Sequence, residues 1–157
     1  MEIMEAVSLG VKNLCKTFRF KLEDGVKLGK NVYGASIPIL KGKEEYQFYL
    51  YFKKDILKLL AKKFFKTEMN EDDFSDISRE VANQIIGYAK NELNDKNNFN
   101  CKLGTPEFLG KVESFHVKFI DSKIYKIKNR TFKIGFTKVW VYCKKIKKVC
   151  FMIMMSF

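Results

Sequence analysis

The chain is poor in the residues from which proteins build metal sites. Its only histidine is His116, and its four cysteines lie far apart without a C-x-x-C pair. Structural zinc is held by closely spaced cysteines and histidines, so we expect no metal or other cofactor of its own. Scattered cysteines in a chain without a recognisable signal peptide also favour a reducing, cytoplasmic location.

Long apolar runs and arginine are also scarce. No run of about 18 apolar residues occurs, so we expect no membrane span. The formal net charge is +12, but only Arg19, Arg79 and Arg130 among the 30 basic residues are arginine. Proteins that read base edges or clamp phosphates rely on the planar guanidinium fork that lysine lacks. A binder of nucleic acid or acidic surfaces is therefore the weakest of the candidate functions, and we expect no nucleic-acid partner.

The usual motifs of a self-contained hydrolase are missing as well. The sequence contains no G-x-S-x-G, no glycine-rich phosphate loop and no cysteine–histidine pair suited to nucleophilic catalysis. His116 is expected on the outward face of a strand from Val112 to Ile120. Nothing nearby in the sequence would orient its ring, so we do not expect it to act as a general base.

What the sequence has is enough apolar material for one packed domain. Hydrophobic residues make up 46% of the chain and aromatic residues 15%, and 157 residues is an ordinary single-domain length. Residue periodicity predicts helices and strands in alternation. Around the central helix described below, they are a helix over Met1–Phe18, a hairpin of Asn31–Leu40 with Tyr46–Phe52, a helix over Lys53–Lys66, a surface loop over Asn91–Asn100, the strand Val112–Ile120, and a hairpin of Lys123–Lys128 with Thr131–Tyr142 across Asn129 and Arg130.

The predicted Lys53–Lys66 helix is basic and amphipathic. Its lysine face suits either a surface for anionic lipid or an acidic protein, or a solvated face above a core helix, and we favour the solvated face. The acidic segment Glu68–Asp73 follows it and is placed to neutralise that charge. Asp73 or Ser75 is then expected to cap the next helix.

That next helix, Asp76–Leu93, is the centre of the predicted fold. At about 100° per residue its apolar residues fall within one half of the helical wheel, which is the expected core face. They are Ile77, Val81, Ala82, Ile85, Ile86, Tyr88, Ala89 and Leu93.

The opposite arc of this helix is polar and carries Glu80, Asn83, Gln84 and Gly87. Glu80 and Asn83 are three positions apart and are expected to project side by side into solvent. Glycine within a helix costs about 1 kcal/mol relative to alanine, and no core packing explains it on a wet face. This arc is either a docking surface beside bare backbone or an ordinary solvated face. A bare E-x-x-N does not decide between them, because chance gives roughly one in a chain of this composition.

The wider pattern is more specific. The frame E-x-x-N-x-x-x-G lies on a helix preceded by strand, strand and helix, and it is followed by L-G-T-P-E-F-L-G at Leu103–Gly110. This arrangement resembles the CheC/CheX/FliY chemotaxis phosphatases. Members of the CheC type carry two E-x-x-N helices. Here Glu5 in the first helix is followed at the third position by Ser8, which is similar to the single-site CheX arrangement.

The resemblance implies an α+β, CheC/CheX-like domain with long helices packed on a mainly antiparallel β-sheet. It covers a single domain over residues 1–143. Residues 144–157 are a basic and apolar C-terminal extension of unknown role. The resemblance also implies a possible homodimer formed through strand edges.

The resemblance further implies an activity, namely acceleration of aspartyl-phosphate hydrolysis on a phosphorylated CheY-type receiver domain in chemotaxis signalling. Asn83 would orient the attacking water and Glu80 would pair with a lysine of the partner, while Gly87 and Gln84 would complete the partner-binding surface. The Mg²⁺ would belong to the receiver. Because an acyl phosphate is already activated, positioning by an amide is an adequate mechanism. The alternative is a non-catalytic CheX-like protein that docks on a receiver or a flagellar-switch component.

Overall fold

The computed structural model describes residues 1–66, 70–113 and 116–140. Within these ranges the chain forms three α-helices, seven β-strands and a short 3₁₀ turn, Glu71–Asp73. The helices are α1 (Ile3–Phe18), α2 (Lys54–Phe65) and α3 (Phe74–Asn97). The strands are β1 (Leu22–Asp24), β2 (Val32–Lys41), β3 (Glu44–Lys53), β4 (Lys102–Leu103), β5 (Glu107–Val112), β6 (Asp121–Ile127) and β7 (Arg130–Trp140).

The strands form one sheet in the order β1–β6–β7–β3–β2, and the short strands β4 and β5 share the outer edge of β2. Every strand pair within the described ranges is antiparallel. Both predicted hairpins, β2–β3 and β6–β7, are confirmed. The turn of the second hairpin is Lys128–Asn129, one residue earlier than predicted, and both residues have positive φ, as a two-residue hairpin turn requires.

The strict alternation in β3 divides the sheet into two faces. Phe48, Leu50 and Phe52 are fully buried on the face that all three helices cover. Tyr49 and Tyr51 point to the other face, where they pack with Leu28 and Phe119 in a smaller apolar cluster. Helices on one face of an antiparallel sheet confirm the predicted α+β class.

The closest contact between helices is that of α1 with α3. The amino group of Met1 donates to Asn97 Oδ1 (3.1 Å), and Gly10 lies against the backbone of Ile85. A Cβ atom at position 10 would stand 2.3 Å from the Ile85 carbonyl oxygen. A side chain at position 10 therefore cannot be accommodated without moving the two helices apart.

Two predicted elements are wrong. The segment Asn91–Asn100 is predicted as a surface loop, but α3 continues through most of it and ends at Asn97. The asparagines there are weak helix formers, but the buried Leu93 and two hydrogen bonds between Asn94 and Cys101 hold the extra turn. Asn94 Nδ2 donates to the Cys101 carbonyl oxygen, and the Cys101 N–H donates to Asn94 Oδ1. Tertiary contacts therefore override the low local propensity.

The predicted strand Val112–Ile120 is also wrong, because β5 runs instead from Glu107 to Val112. Of the residues after it, 113 and 116–120 are described and are not in a strand. One of the apolar residues behind this prediction packs against the sheet and does not extend it. Phe119 packs across the outer face of the sheet, against Tyr49 and Tyr51 and directly over Gly135.

The start of α3 also differs from the expectation. The helix begins at Phe74 after Asp73, and no side chain caps it. The Asp73 carboxylate instead accepts a hydrogen bond from the backbone of Asn70 (3.1 Å). Several predictions fall outside the described residues. They concern residues 68 and 69 of the predicted acidic segment, Phe115, the end of the predicted 1–143 domain and the whole extension 144–157.

We expect Gly10→Ala to destabilise the domain. Alanine improves helix propensity, but its methyl group meets a backbone carbonyl that no rotamer change can move, so a net loss of about 1–3 kcal/mol in the free energy of unfolding is expected. Urea denaturation measures it. Asn13→Ala, at an exposed position of the same helix, is the control and should change stability by less than about 0.5 kcal/mol. A Gly10→Ala protein as stable as the wild type would contradict the close contact.

Candidate functional site

The polar arc predicted for the central helix is the exposed face of α3. Asn83 and Gln84 are exposed, and Glu80 and Gly87 are half-buried. Seven of the eight predicted core residues are buried, and Tyr88 is half-exposed instead. Sequence periodicity missed Ser78, which is fully buried on the same side. The burial of one side thus presents Glu80, Asn83, Gln84 and Gly87 together, and we call these four residues the motif face.

Asn83 is at the centre of the motif face. Its side chain makes no hydrogen bond to any residue in the described ranges, although several polar neighbours on the same helix are paired. An unpaired amide keeps one acceptor oxygen and two N–H donors available to water or to a partner. Asn83 is therefore chemically suited to hold a water molecule presented from outside the domain.

Glu80 is held in place by the neighbouring turn. Gln84 Nε2 donates a hydrogen bond to Glu80 Oε1 (3.1 Å). The pair is spaced i, i+4, the separation at which helical side chains meet. The bond restricts the carboxylate but leaves its other oxygen available. Sequence analysis placed Gln84 on this surface, and the structure adds the contact that orients Glu80.

A second polar pair lies one turn before Asn83. Arg79 Nη2 contacts Asp76 Oδ1 at 2.7 Å, and Arg79 Nε donates to the Ser75 carbonyl oxygen at 3.3 Å. Both side chains are largely exposed, so the pair adds little stability by itself. Its effect is to direct the guanidinium along the helix toward Asp76. Sequence analysis did not assign this pair, although the i, i+3 spacing of opposite charges was a usable signal.

Gly87 lies next to β4. A Cβ atom at this position would stand 3.5 Å from Leu103 Cδ2, which is an ordinary van der Waals distance. The fold therefore accommodates alanine at position 87. The absence of a side chain is not explained by packing within the described part of the chain.

The segment that follows α3 is attached firmly beside it. Gly104 N–H donates to the Pro38 carbonyl oxygen (2.8 Å), and a Cβ at Gly104 would approach the Pro38 ring to 2.4 Å. Together with the Asn94–Cys101 hydrogen bonds, this contact fixes β4 against both β2 and the end of α3. The predicted Leu103–Gly110 segment thus supports the motif helix and contributes Leu103 to the edge of the motif face.

The cysteines and the histidine in the described ranges lie apart from the motif face. Burial raises the pKa of the Cys15 thiol to about 11 and also raises the pKa of Cys101, so both remain protonated at neutral pH. His116 is exposed. In the described ranges, no group of three potential metal ligands comes together, and no helix is long and apolar enough to cross a bilayer.

The sequence matches a known family over the motif helix. The family model described as chemotaxis phosphatase CheX matches residues 34–118, more than half of the chain. This range includes all but the first two residues of β2, together with β3, α2, α3, β4 and β5, and therefore the whole motif face. No curated protein sequence matches closely enough to count as a relative.

Solved structures show the same fold at low sequence identity. The chemotaxis protein CheX from Vibrio vulnificus is 12% identical, with a TM-score of 0.74 over 88% of this chain and 100% of that one. The CheX from Desulfovibrio desulfuricans is 18% identical, with a TM-score of 0.70 over 88% of this chain and 100% of that one. The CheX from Borrelia burgdorferi, solved as a complex with CheY, BeF₃ and Mg²⁺, is 15% identical, with a TM-score of 0.62 over 87% of this chain and 94% of that one.

We expect Gly87→Ala to stabilise the isolated domain. Alanine favours the helical backbone by up to about 1 kcal/mol, and its methyl group meets Leu103 at an ordinary distance. An increase in the free energy of unfolding, measured by urea denaturation, is therefore expected. A loss of stability would show that the contact with β4 is tighter than 3.5 Å implies.

Proposed function

Because the chain belongs to the CheX family of chemotaxis phosphatases, we propose that it accelerates hydrolysis of the aspartyl phosphate on a CheY-type response regulator. The observation that carries the proposal is the unpaired Asn83 amide beside the oriented Glu80 carboxylate on the exposed side of a rigid helix.

The proposed chemistry relies on positioning. Asn83 enters the receiver's phosphorylation site, where its amide holds a water molecule in line with the phosphorus atom. An amide is too weak a base to activate water strongly, but the acyl phosphate is a good leaving group and needs little activation. Inserting one short, neutral side chain also avoids placing a second negative charge beside the phosphoryl group.

Glu80, Gln84 and Gly87 bind the partner in this proposal. The Glu80 carboxylate forms an ion pair with a lysine of the receiver, and Gln84 keeps the carboxylate in the orientation that this pair needs. Gly87 lets the receiver backbone approach α3 closely. The Mg²⁺ that neutralises the phosphoryl oxygens belongs to the receiver. The similar protein from Borrelia burgdorferi, which was solved with CheY, BeF₃ and Mg²⁺, supports this assignment.

Asn83→Ala tests the proposed catalytic step. We expect it to reduce stimulated dephosphorylation of a phosphorylated receiver by about 100-fold or more while leaving most of the binding, because the water loses its positioning group. Phosphate release with and without the protein measures the rate. The control is Asn91→Ala, which removes another exposed asparagine of α3 and should leave the rate unchanged.

Two outcomes would contradict the catalytic assignment. Equal rates for the wild type and Asn83→Ala would remove Asn83 from the mechanism. Binding of a BeF₃-loaded receiver by the wild type with no acceleration of phosphate release would identify a non-catalytic docking protein instead.

Glu80→Ala and Gln84→Leu test the binding role as a double-mutant cycle. Each single change should weaken binding of a BeF₃-loaded receiver, Glu80→Ala about tenfold or more and Gln84→Leu about two- to threefold. If Gln84 acts through Glu80, Gln84→Leu should have no further effect in the Glu80→Ala background. Independent, additive losses in isothermal titration would show that Gln84 contacts the receiver by itself.

A further inference from the structure

The outward face of α2 carries lysines that the proposed catalytic step does not use. Ile56, Leu57, Leu60 and Ala61 are buried beneath the helix, so the opposite side of α2 faces away from the sheet. Lys58, Lys62 and Lys66 are exposed there. We call these three residues the lysine face.

The charges of the lysine face are not neutralised within the described part of the chain. None of the three lysines forms an ion pair there, whereas Lys123, Lys126 and Lys138 elsewhere are paired with carboxylates. The predicted neutralisation by the following acidic segment is not seen for Asp72 or Asp73, since the Asp73 carboxylate accepts a hydrogen bond from the backbone of Asn70. Three positive charges that have no ion-pair partner in the described ranges, two on α2 and one at its C-cap, attract anionic groups from outside the domain.

The lysine face and the motif face lie on neighbouring helices. Helix α2 lies across one end of the α1–α3 pair, because Phe64 packs edge-on against Phe18 at the end of α1 and Lys54 lies 6.0 Å from the ring of Phe74 at the start of α3. All three helices bury one side in the same core cluster. The outward sides of α2 and α3 therefore both face away from that core.

The lysine face begins at the border of an interface centred on Asn83. Asn83 lies nine residues after Phe74, or about 14 Å along the helix axis. Lys54, at the start of α2, lies beside Phe74, and Lys58 is four residues, or about 6 Å, further along α2. A standard interface covers about 800 Å² on each partner, which corresponds to a circle of about 16 Å radius. Lys58 therefore lies near the edge of such an interface, and the other two lysines lie beyond it, where they can still attract an approaching receiver electrostatically.

We propose that the lysine face borders the receiver-docking surface and steers an acidic receiver toward Asn83. The inference rests on the proposed function. The phosphorylation site of a receiver combines carboxylates that hold Mg²⁺ with the phosphoryl group itself, so its entrance is negatively charged. Charges at the rim of an interface mainly raise the association rate and make it sensitive to salt.

A charge-reversal pair with a matched control tests the proposal. Lys58→Glu/Lys62→Glu changes the lysine face, and Lys27→Glu/Lys118→Glu changes exposed lysines beside Leu28 and Phe119, which pack on the opposite face of the sheet. Each pair lowers the formal net charge from +12 to +8. The two variants therefore share the same total charge and differ in where the change lies.

Stopped-flow association with a BeF₃-loaded receiver and phosphate release from a phosphorylated receiver are the measurements. At low salt, Lys58→Glu/Lys62→Glu should lower the association rate and kcat/KM by about tenfold with kcat unchanged, and the difference should shrink at 0.5 M salt. The control pair should change both by less than about twofold. Equal losses in the two variants, or no loss in the first, would overturn the proposal.

Failure of the proposed function gives a different result. If the wild type binds the receiver without accelerating phosphate release, the catalytic proposal fails and the association rates still test the lysine face. Binding to anionic lipid vesicles and to duplex DNA is also measured at physiological salt. Binding to either that depends on Lys58 and Lys62, combined with unchanged receiver association, would assign the lysine face to a membrane or a nucleic acid and overturn the proposal.

Discussion

The contact between Gly10 of α1 and the Ile85 backbone of α3 is the constraint on which the site depends. It brings the two helices closer than any side chain at position 10 would allow. With the apolar side of α3 buried between α1 and the sheet, the rotation of α3 about its axis is determined. Glu80, Asn83, Gln84 and Gly87 then face outward because the remaining sides of the helix are occupied.

The far end of α3 is held by a second set of contacts. The Asn94 side chain forms hydrogen bonds with both the N–H and the carbonyl of Cys101. In the same segment, the Gly104 N–H donates to the Pro38 carbonyl oxygen of β2. A helix fixed at both its middle and its end presents its side chains with little conformational freedom, so less entropy is lost when a partner binds. Among the polar side chains nearby, Glu80 and Arg79 are paired within the helix while Asn83 is left for an external ligand.

The distribution of charge is compatible with the proposed partner, which brings its own metal and phosphoryl group. The central amide of the motif face is neutral, and the lysine face lies to one side of it on α2. In the proposed function, electrostatic attraction and catalysis therefore rest on different helices. Steering would depend on the long-range field of the lysine face, whereas positioning of the water would depend on direct contact with Asn83.

Local periodicity and a short motif were enough to predict the three helices, both hairpins, the buried side of α3 and the family resemblance. The outward direction of Glu80 and Asn83 followed from the same periodicity. The end of α3 at Asn97, the end of β5 at Val112 and the position of Phe119 on the outer face of the sheet were not predictable in this way. They depend on contacts between different elements of the fold, such as Asn94 with Cys101 and Phe119 with Gly135. Such contacts outweigh the local propensities that a single sequence displays.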